Sequence, residues 1–384
     1  MKSDKTTPNV PTLRFPEFAG EWQDTTLGNV CVYRKTRRTA EKKNYISTEN
    51  ILQNYQGAER FTSNESISGD GFNKNDILMG NIRPYLKKVY YADFDGVCNA
   101  DVLVFKSNFI NPHFLYCRLA NDTFINYVMK SVKGSKMPRG DKSHIMQYPL
   151  SIPGEAEQSK ISNFVELLTS RIQVQNKIIS KYETLIKGIY HEFFSKPADY
   201  AIKIKDLIIK GKSGGTPSST VARYYNGDIP FLSISDMTKQ GKYVSYTEKH
   251  ISKSGIENSS AWIVPSNSLI FSMYASVGLV CINTVPLATS QAMFSMVLKD
   301  RRMIEYIYYY LNFFRETKIH RHIETGTQSN INAETVRNID IPFQSNHLKL
   351  VETLNSIEKR LNNEKDMLSL LLDLKAYLLS KLFI

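Results

Sequence analysis

The sequence predicts an α+β protein in which two similar mixed α/β heads are joined by two long helices that pack as an antiparallel coiled coil. The helices are the first indication, because residues 155–194 and 344–383 are amphipathic stretches that align at a constant offset of 189 residues. The second is that each stretch closes one half of the chain, after a region of short β-like runs. Such a duplicated chain gains internal pseudo-two-fold symmetry if its helices pair in opposite directions.

Apolar residues recur every seven positions in two adjacent columns of both stretches, as in helices that pack on each other. Gln175 and Glu364 are the polar members of one column, and in an antiparallel pair they would meet and set the register. A small helix rotation that turns both toward solvent stays open. The residues expected at the helix–helix contact are Ile161, Val165, Leu168, Ile172, Ile179, Ile186, Ile189 and Phe193 in the first stretch, and Leu350, Leu354, Ile357, Leu361, Leu368, Leu371, Leu378 and Leu382 in the second.

The first half of the chain begins with an N-terminal arm, residues 1–20, in which Pro8, Pro11 and Pro16 interrupt regular structure. The first head, residues 21–152, then alternates short strands with turn signals. We predict strands near 76–79, 89–91 and 102–105, and one helix over 112–130 with Asn111 as its N-cap and Pro112 in its first position.

The rest of the chain repeats this plan. Pro153 and Gly154 end the last strand of the first head, and the acidic residues Glu155 and Glu157 suit the positive N-terminal end of a helix. The aromatic run 306–311 is too short to cross a membrane and predicts a packed helix. The predicted segments after the first head are a central spacer helix over 153–195, a second head over 200–341 and a C-terminal spacer helix over 342–384.

The duplication extends into the heads. Four short segments of the first head align with segments of the second at offsets between 186 and 192, so that only small insertions separate the copies. Most other side chains differ, which indicates a shared binding geometry with different specificity. The aligned pairs are 45–51 with 231–237, 76–78 with 268–270, 134–136 with 326–328, and 150–153 with 339–342.

Composition indicates a globular protein that meets a polyanion. The chain has 384 residues, 42% of them hydrophobic and 22% charged, with a formal net charge of +12. The excess positive charge is shared by both halves and suits nucleic acid, although a protein with scattered surface lysines would have the same balance.

Other features of the sequence point to a cytoplasmic protein. The four cysteines form no Cys-x-x-Cys pair, so neither a disulfide framework nor a zinc site is expected. The N-terminal residues lack the apolar core of a signal peptide, and no apolar run is long enough to span a membrane.

Three motifs suggest chemistry but fit it poorly. The 211–213 segment resembles the end of a phosphate-binding loop, but Asp206 stands where that loop needs glycine. The 111–114 segment differs from the catalytic motif of adenine methyltransferases and is better interpreted as a helix cap. His320 and His322 lie among cations that oppose metal binding, which favours a basic contact loop. We therefore predict no catalytic, cofactor-binding or metal site in this chain.

Basic residues cluster where loops are expected in both heads. Lys and Arg neutralise phosphates, and Arg, Asn and Gln also read base edges. Each cluster alone could be a solvated face, but repetition at equivalent places favours DNA contact. The predicted DNA-binding residues are Arg34, Lys35, Arg37, Arg38, Lys42, Arg83, Lys87, Lys136, Arg139 and Lys142 in the first head, and Lys210, Lys212, Arg223, Tyr224, Tyr225, Lys242, Tyr243, Arg315, Lys318, Arg321, Gln328 and Asn330 in the second.

Several segments together resemble one known family. They are the opening 11–18 with Glu21 and Trp22, the segments 45–51 and 82–88, the loop 326–331 before a strand, and above all Glu157-Gln158-x-Lys160-Ile161 opening a long helix, echoed at 347–350. In their order and duplication they make the chain similar, over essentially its whole length, to specificity subunits of type I restriction-modification systems. One departure is the first glycine loop, 134–139, which is three residues longer and more basic than its counterpart.

The resemblance implies two target recognition domains, each reading half of a bipartite double-stranded DNA site, with the helical coiled coil setting the gap. It also implies that the helices dock two modification (methyltransferase) subunits, which restriction subunits join. S-adenosylmethionine, ATP and Mg²⁺ would be used by those partners and none by this chain, which would be non-catalytic and would not contact a membrane.

Two other functions stay open at this point. The chain could be a DNA methyltransferase or nuclease whose site is not recognisable in sequence. It could also be a two-headed scaffold whose basic heads hold acidic proteins.

Overall fold

A computed structural model describes residues 9–274, 276–322 and 330–384. The chain divides into two compact units, one of residues 1–177 with 365–384 and the other of residues 178–364. Each unit therefore holds one head and a part of each long helix. The predicted five-segment division, which cuts the chain at the ends of the heads, stays a prediction. Residues 1–8 of the predicted arm, with Pro8, lie outside the described residues.

The first unit combines a mixed head with the beginning of a long helix. Its strands are β1 (Gln23–Thr26), β2 (Cys31–Tyr33), β3 (Arg37–Glu41), β4 (Tyr45–Ile46), β5 (Ser66–Phe72), β6 (Ile77–Gly80), β7 (Val89–Tyr91), β8 (Gly96–Cys98), β9 (Val102–Ser107) and β10 (Pro149–Ile152). Its helices are α1 (Leu27–Val30), α2 (Pro112–Leu119), α3 (Asp122–Met129), α4 (Lys142–Met146) and the first part of α5 (Glu155–Phe194), together with residues 365–381 at the end of the second long helix.

The second unit repeats this composition. Its strands are β11 (Tyr200–Lys203), β12 (Ile208–Ser213), β13 (Tyr225–Leu232), β14 (Tyr243–Val244), β15 (Lys249–Ile251), β16 (Ser268–Ser272), β17 (Val280–Asn283), β18 (Ala288–Thr289), β19 (Met293–Leu298) and β20 (Asp340–Phe343). Its helices, besides the end of α5, are α6 (Ile204–Leu207), α7 (Ile234–Gln240), α8 (Lys253–Glu257), α9 (Ile304–Thr317), α10 (Ala333–Arg337) and the first part of α11 (His347–Lys381).

Two sheets of the first head have counterparts in the second, whereas the remaining sheets, β3-β5-β8-β4 and β15-β13-β18, differ in strand number. The strand order β2-β9-β6-β7 in the first unit corresponds to β12-β19-β16-β17-β14 in the second, and the pair β1-β10 corresponds to β11-β20. The aligned segments also share detail, because Ser47 Oγ bonds to Asn50 Oδ1 at 2.7 Å and Ser233 Oγ to Asp236 Oδ2 at 2.6 Å. The duplication predicted from sequence is therefore present in the fold.

One predicted helix is wrong. The sequence predicts a single helix over 112–130, but α2 ends at Leu119 and α3 begins at Asp122. Asn111 caps α2 as predicted, accepting from the backbone N–H of His113 and Phe114. Asn121 caps α3 in the same way, and a side chain that bonds its own backbone competes with helix continuation.

The long helices pair in antiparallel fashion inside each unit. In the first unit, Ile161 and Val165 of early α5 share a core with Leu378, Leu382 and Phe383 at the end of the chain. In the second unit, Gln344 Nε2 just before α11 donates to the carbonyl oxygen of Phe193 in the last turn of α5, at 2.9 Å.

All sixteen residues predicted at the helix contact are buried or half-buried. The predicted bounds of α5 agree with the structure, whereas α11 is shorter at both ends than the predicted stretch. The pairing of Gln175 with Glu364 stays a prediction.

The run 306–311 lies in α9, as predicted, and its tyrosines Tyr306, Tyr309 and Tyr310 are buried. Within the described part of the chain, no helix is long and apolar enough to cross a membrane.

Candidate nucleic-acid interface

Three segments of the first head converge beyond the end of β6. The backbone N–H of Asn81 donates to the carbonyl of Asp101 at 2.8 Å, and that of Arg83 donates to the carbonyl of Pro138 at 2.8 Å. An isolated bridge also pairs Ile82 with Arg139. We call the region formed by residues 81–88, 99–101 and 131–142 the first strand-end surface.

The second head has the same convergence at the equivalent place. The backbone N–H of Met273 donates to the carbonyl of Ala292 at 2.8 Å, and that of Ile331 donates to the carbonyl of Met273 at 3.0 Å. An isolated bridge pairs Tyr274 with Asn330. Residues 273–274, 290–292 and 330–331 form the second strand-end surface. The predicted contact Gln328 lies outside the described residues.

The first strand-end surface carries more cations than anions. Arg139 pairs with Asp101 at 3.1 Å, Lys87 with Asp122 at 2.8 Å and Lys133 with Asp141 at 2.6 Å. The hydrogen bond from Lys133 and those from the backbone at the start of α4 hold the pKa of Asp141 at about 2. The remaining exposed cations of this surface are Arg83, Lys136 and Lys142.

A second basic stretch of the first head lies on and before β3. Lys35, Arg37 and Arg38 are exposed, and Arg38 donates to the side chain of Asn73 at 2.8 Å. Lys42 pairs with Glu65 at 3.1 Å. These residues are accessible to a ligand, as the sequence predicts.

Arg34 occupies a different environment from the other cations of that stretch. Its guanidinium donates to both carboxylate oxygens of Asp76, at 2.6 and 3.2 Å, and Asp76 is buried. The same carboxylate accepts from the backbone N–H of Asn73 at 2.7 Å. Because an internal ion pair already occupies Arg34, we leave it out of the candidate interface.

Lys242 is likewise held inside the second unit. Its ammonium contacts Glu358 at 2.6 Å, Glu305 at 3.1 Å, the hydroxyl of Tyr309 at 2.9 Å and Asn355 at 3.2 Å. This cluster ties the head to α11. Prediction of Lys242 as a DNA contact is inconsistent with this geometry, because a cation with two carboxylate partners and little exposure is unavailable to phosphate.

The polar surroundings in this cluster lower the pKa of Glu305. Burial works to raise the pKa of Glu305, but hydrogen bonds from Tyr243 and Asn355 and the charge of Lys242 outweigh it, so the pKa lies below its usual value. Tyr243, another predicted DNA contact, donates its hydroxyl to Glu305 and is thereby part of the same cluster.

Two further predicted contacts are packing residues. Tyr224 is buried, and the hydroxyl of Tyr225 donates to the carbonyl of Pro217 at 2.6 Å. Both support the turn that presents Arg223, which is exposed.

The other predicted cations of the second head are accessible to different degrees. Lys210, Lys212 and Arg321 are exposed, although the ammonium of Lys210 lies 4.1 Å from the centre of the Trp262 ring. Lys318 is half-buried and packs over Tyr310 and Phe313. Arg315 is half-buried beside the turn that follows Tyr274, since a Cβ added at Gly278 would lie 2.9 Å from Arg315 Cγ.

Sequence reasoning missed polar residues at both strand-end surfaces. Asp101 holds Arg139, and at the equivalent turn Thr216 donates to the side chain of Gln291 at 2.6 Å. The signal was a short polar segment before a buried strand in each copy, 99–101 and 290–292. These two segments could not be aligned from sequence because their residues differ between the copies.

The motif that opens α5 joins the arm to the helix. Arg14 donates to both carboxylate oxygens of buried Glu157, at 2.8 and 2.7 Å, and Trp22 Nε1 contacts the same carboxylate at 3.4 Å. Gln158 accepts from the backbone N–H of Asn111 at 2.9 Å. The motif residues are therefore structural, since they hold the arm and α2 on α5.

The part of the chain that the structure describes has neither a metal-ligand cluster nor an exposed thiol. No group of three or more His, Cys, Asp or Glu residues there could hold a metal ion. The four cysteines are free and buried, and burial raises the pKa of Cys31, Cys98 and Cys117 to about 12.

Comparison with known proteins identifies the same family in both halves. The family model described as type I restriction modification DNA specificity domain matches residues 19–184 and 198–367. The HindI specificity subunit of Haemophilus influenzae is 22% identical over an alignment of 451 residues that covers 91% of this chain and 98% of that protein. The MjaIX specificity subunit of Methanocaldococcus jannaschii is 28% identical over 174 residues, which is 44% of this chain and 40% of that protein.

Solved structures have the same fold. The S subunit of a type I restriction-modification system from M. genitalium superposes with a TM-score of 0.59 at 14% identity, covering 98% of this chain and 99% of that one. A chain from a study of complex assembly and conformational transition of the type I R-M system gives 0.56 at 17% identity, covering 94% and 97%.

Proposed function

The chain belongs to the family of type I restriction modification DNA specificity domains, and we propose that it reads a bipartite double-stranded DNA site for a type I restriction-modification complex. The observation that carries the proposal is the strand-end surface, which occurs once in each head. Its backbone geometry is shared, whereas its side chains differ: Arg83 and Arg139 in the first, Gln291 and Asn330 in the second. Shared geometry with different polar groups is what two readers of different half-sites need.

The exposed cations supply affinity in this scheme. Arg37, Lys136 and Lys142 in the first head and Lys212, Arg223 and Arg321 in the second are free enough to neutralise phosphates. Binding should therefore weaken steeply as salt concentration rises. Each well-read base pair would add about 1–3 kcal/mol of discrimination.

Catalysis belongs to partner subunits in this proposal. Two methyltransferase subunits would dock on the long helices and restriction subunits would join them, using S-adenosylmethionine, ATP and Mg²⁺ in the cytoplasm. Exposed apolar side chains on these helices support docking there, since exposed apolar clusters mark interaction sites. They include Phe164, Leu167, Leu185, Leu348, Leu370 and Tyr377.

A head exchange tests the division of labour. Residues 200–341 would be replaced by the corresponding head of another member of the family, and the complex would be expressed in a host whose methylated adenines are then mapped. One half-site should change and the other should persist. A change in both half-sites, or in neither, would contradict the assignment of one half-site to each head.

A helix insertion tests the spacer. One heptad added to both α5 and α11 should lengthen the gap between half-sites and leave both half-site sequences as they were. Unchanged spacing would argue against a helical spacer.

Incubating the purified chain alone with DNA and S-adenosylmethionine, or with Mg²⁺, tests the rival function in which this chain is itself the enzyme. We expect no product.

A further inference from the structure

Each strand-end surface presents one exposed tyrosine. Tyr85 is 49% exposed and lies on the short turn between β6 and β7, and Tyr274 is 40% exposed just after β16. Both follow equivalent central strands of the two heads. Tyr274 stands where Ile82 does in the first head, so the two rings lie on the same loop without being equivalent residues. Both are open to a ligand, and aromatic side chains contribute strongly at interfaces.

The turn that carries Tyr85 is held rigidly. Arg83 and Lys87, on either side of it, have φ angles of 50° and 55°, in the left-handed region that disfavours residues with a side chain by about 1–2 kcal/mol each. Backbone hydrogen bonds secure both ends, from Arg83 to Pro138 at 2.8 Å and from Tyr55 to Lys87 at 3.1 Å. A ring on such a turn loses little conformational entropy when it meets a ligand.

The charges around Tyr85 indicate what the ligand is. Arg83 is exposed, Lys87 pairs with the exposed carboxylate of Asp122, and the exposed Lys136 lies in the loop bonded to Arg83. An exposed ring on a turn that also carries cations suits a ligand with anionic groups beside flat apolar ones. A nucleic acid has this combination, because phosphates flank the bases.

Tyr274 has the corresponding setting. Its carbonyl accepts from the hydroxyl of Ser272 at 2.9 Å, and the turn after it is closed by a hydrogen bond from Gly278 to Ser272 at 2.8 Å. Ser276 in this turn has a φ of 53°. The aliphatic part of the Arg315 side chain lies beside Gly278 in this turn.

We propose that Tyr85 and Tyr274 are the aromatic contacts of the two heads with DNA, each placing its ring against a base step of its own half-site. The inference rests on the proposed function and names residues that the cation pattern did not include. A ring wedged at a base step selects sequences that unstack easily, so each tyrosine contributes to specificity as well as to affinity.

Fluorescent duplexes test this directly. The full chain, in complex with its methyltransferase subunits, would be titrated with its cognate duplex carrying 2-aminopurine in one half-site or the other. The wild-type complex should raise the fluorescence of both probes, because each ring disturbs stacking. Tyr85→Ala should abolish the rise in one half-site only and weaken cognate binding on the order of 10-fold, and Tyr274→Ala should do the same for the other half-site.

Matched variants separate the ring from other effects. Tyr85→Phe and Tyr274→Phe keep the ring and should bind within about twofold of wild type, with the same probe signals. Tyr200→Ala removes an exposed tyrosine that stacks on Phe343 in β20, outside both surfaces, and should change neither affinity nor signal. The salt dependence should be unchanged in every variant, because a tyrosine neutralises no phosphate.

The outcomes distinguish this inference from the function on which it rests. A wild-type complex with sequence preference but unaltered probe fluorescence would overturn the tyrosine contacts alone. This measurement does not depend on whether any variant folds. Equal cognate affinity for Tyr85→Ala and wild type would do the same. A wild-type complex without any sequence preference would overturn the proposed function and this inference together.

Discussion

Replacing Lys242 with methionine tests whether this lysine has a structural role or contacts DNA. The sequence places Lys242 among the phosphate-binding cations, whereas in the structure its side chain is 9% exposed and pairs with Glu305 and Glu358, which are 21% and 19% exposed. Lys242→Met leaves two neighbouring carboxylates without their cation. Removing one partner of a buried ion pair destabilises by about 3–5 kcal/mol.

The expected effect lies at or just below the lower limit of that range. Both carboxylates keep about a fifth of their surface in water, so we expect a loss of about 2–3 kcal/mol in the free energy of unfolding of the second unit. For a unit of this size the midpoint of thermal unfolding should fall by about 4–12 °C.

The loss of stability in Lys242→Met should depend on pH. The folded-state pKa of Glu305 lies below its usual value of 4.5, so its contribution to stability is present above that value and is lost as pH falls through the lower, folded-state pKa. The difference between wild type and Lys242→Met should therefore be large at pH 7 and should shrink below about pH 4. Differential scanning calorimetry across this range measures it.

Two variants complete the test. Lys242→Met combined with Glu305→Gln and Glu358→Gln removes all the charges and should recover most of the loss. Lys253→Met removes an exposed lysine that lies 3.9 Å from Glu257 and should stay within about 0.5 kcal/mol of wild type. If Lys242→Met left stability unchanged but lowered the slope of log affinity against log salt by about one, the lysine would be a phosphate contact and the structural assignment would be wrong.

Three further predictions concern other parts of the molecule. Asp141 has a folded-state pKa of about 2, so its bond to Lys133 should persist above about pH 4 and be lost as pH falls toward 2; protection of the amides of residues 131–142 against exchange, measured relative to the intrinsic rate at each pH, should fall only in that acid range, and a loss of protection already at pH 5 would contradict it. Asn111→Ala removes the cap of α2 and should destabilise the first unit by about 1–2 kcal/mol, measured by urea unfolding, whereas Asn111→Asp keeps an acceptor and should lose less. The thiols should resist alkylation at pH 8 in the native protein and all react after denaturation, because each is buried; rapid labelling of the native chain would refute this for Cys31, Cys98, Cys117 and Cys281.

Patterns that are local in sequence predicted the framework well. Pro153 and Gly154 marked the start of α5. The sixteen residues of the heptad columns are all buried or half-buried, because a repeat of seven places residues on one side of a helix whatever surrounds it, and their contact between the helices stays a prediction. The cap at Asn111 followed from Asn-Pro at a helix start. The single helix over 112–130 failed because Asn121 acts as a second cap, a local signal that apolar spacing obscured.

The candidate interface was harder to predict, since it depends on contacts between distant residues. Arg34 and Arg37 look alike in sequence, but only Arg34 meets a buried carboxylate, from Asp76 more than forty positions away. Lys242 is removed from the interface by Glu305 and Glu358, which come from other helices. Conversely, Asp101 and Gln291 could be assigned to the strand-end surfaces only from the fold, which places them beside the loops.

By itself the sequence determined the duplicated plan and the two long helices, because repeats and periodicity do not depend on how the chain folds, and its net charge of +12 favoured an anionic ligand. The tertiary structure decided which cations remain free and which side chains share a surface, because an ion pair forms only where folding brings two groups within a few ångströms, in surroundings dry enough for the charge to matter. Only the tertiary structure shows that the rings of Tyr85 and Tyr274 are exposed, since exposure is a property of the folded molecule and not of the residue.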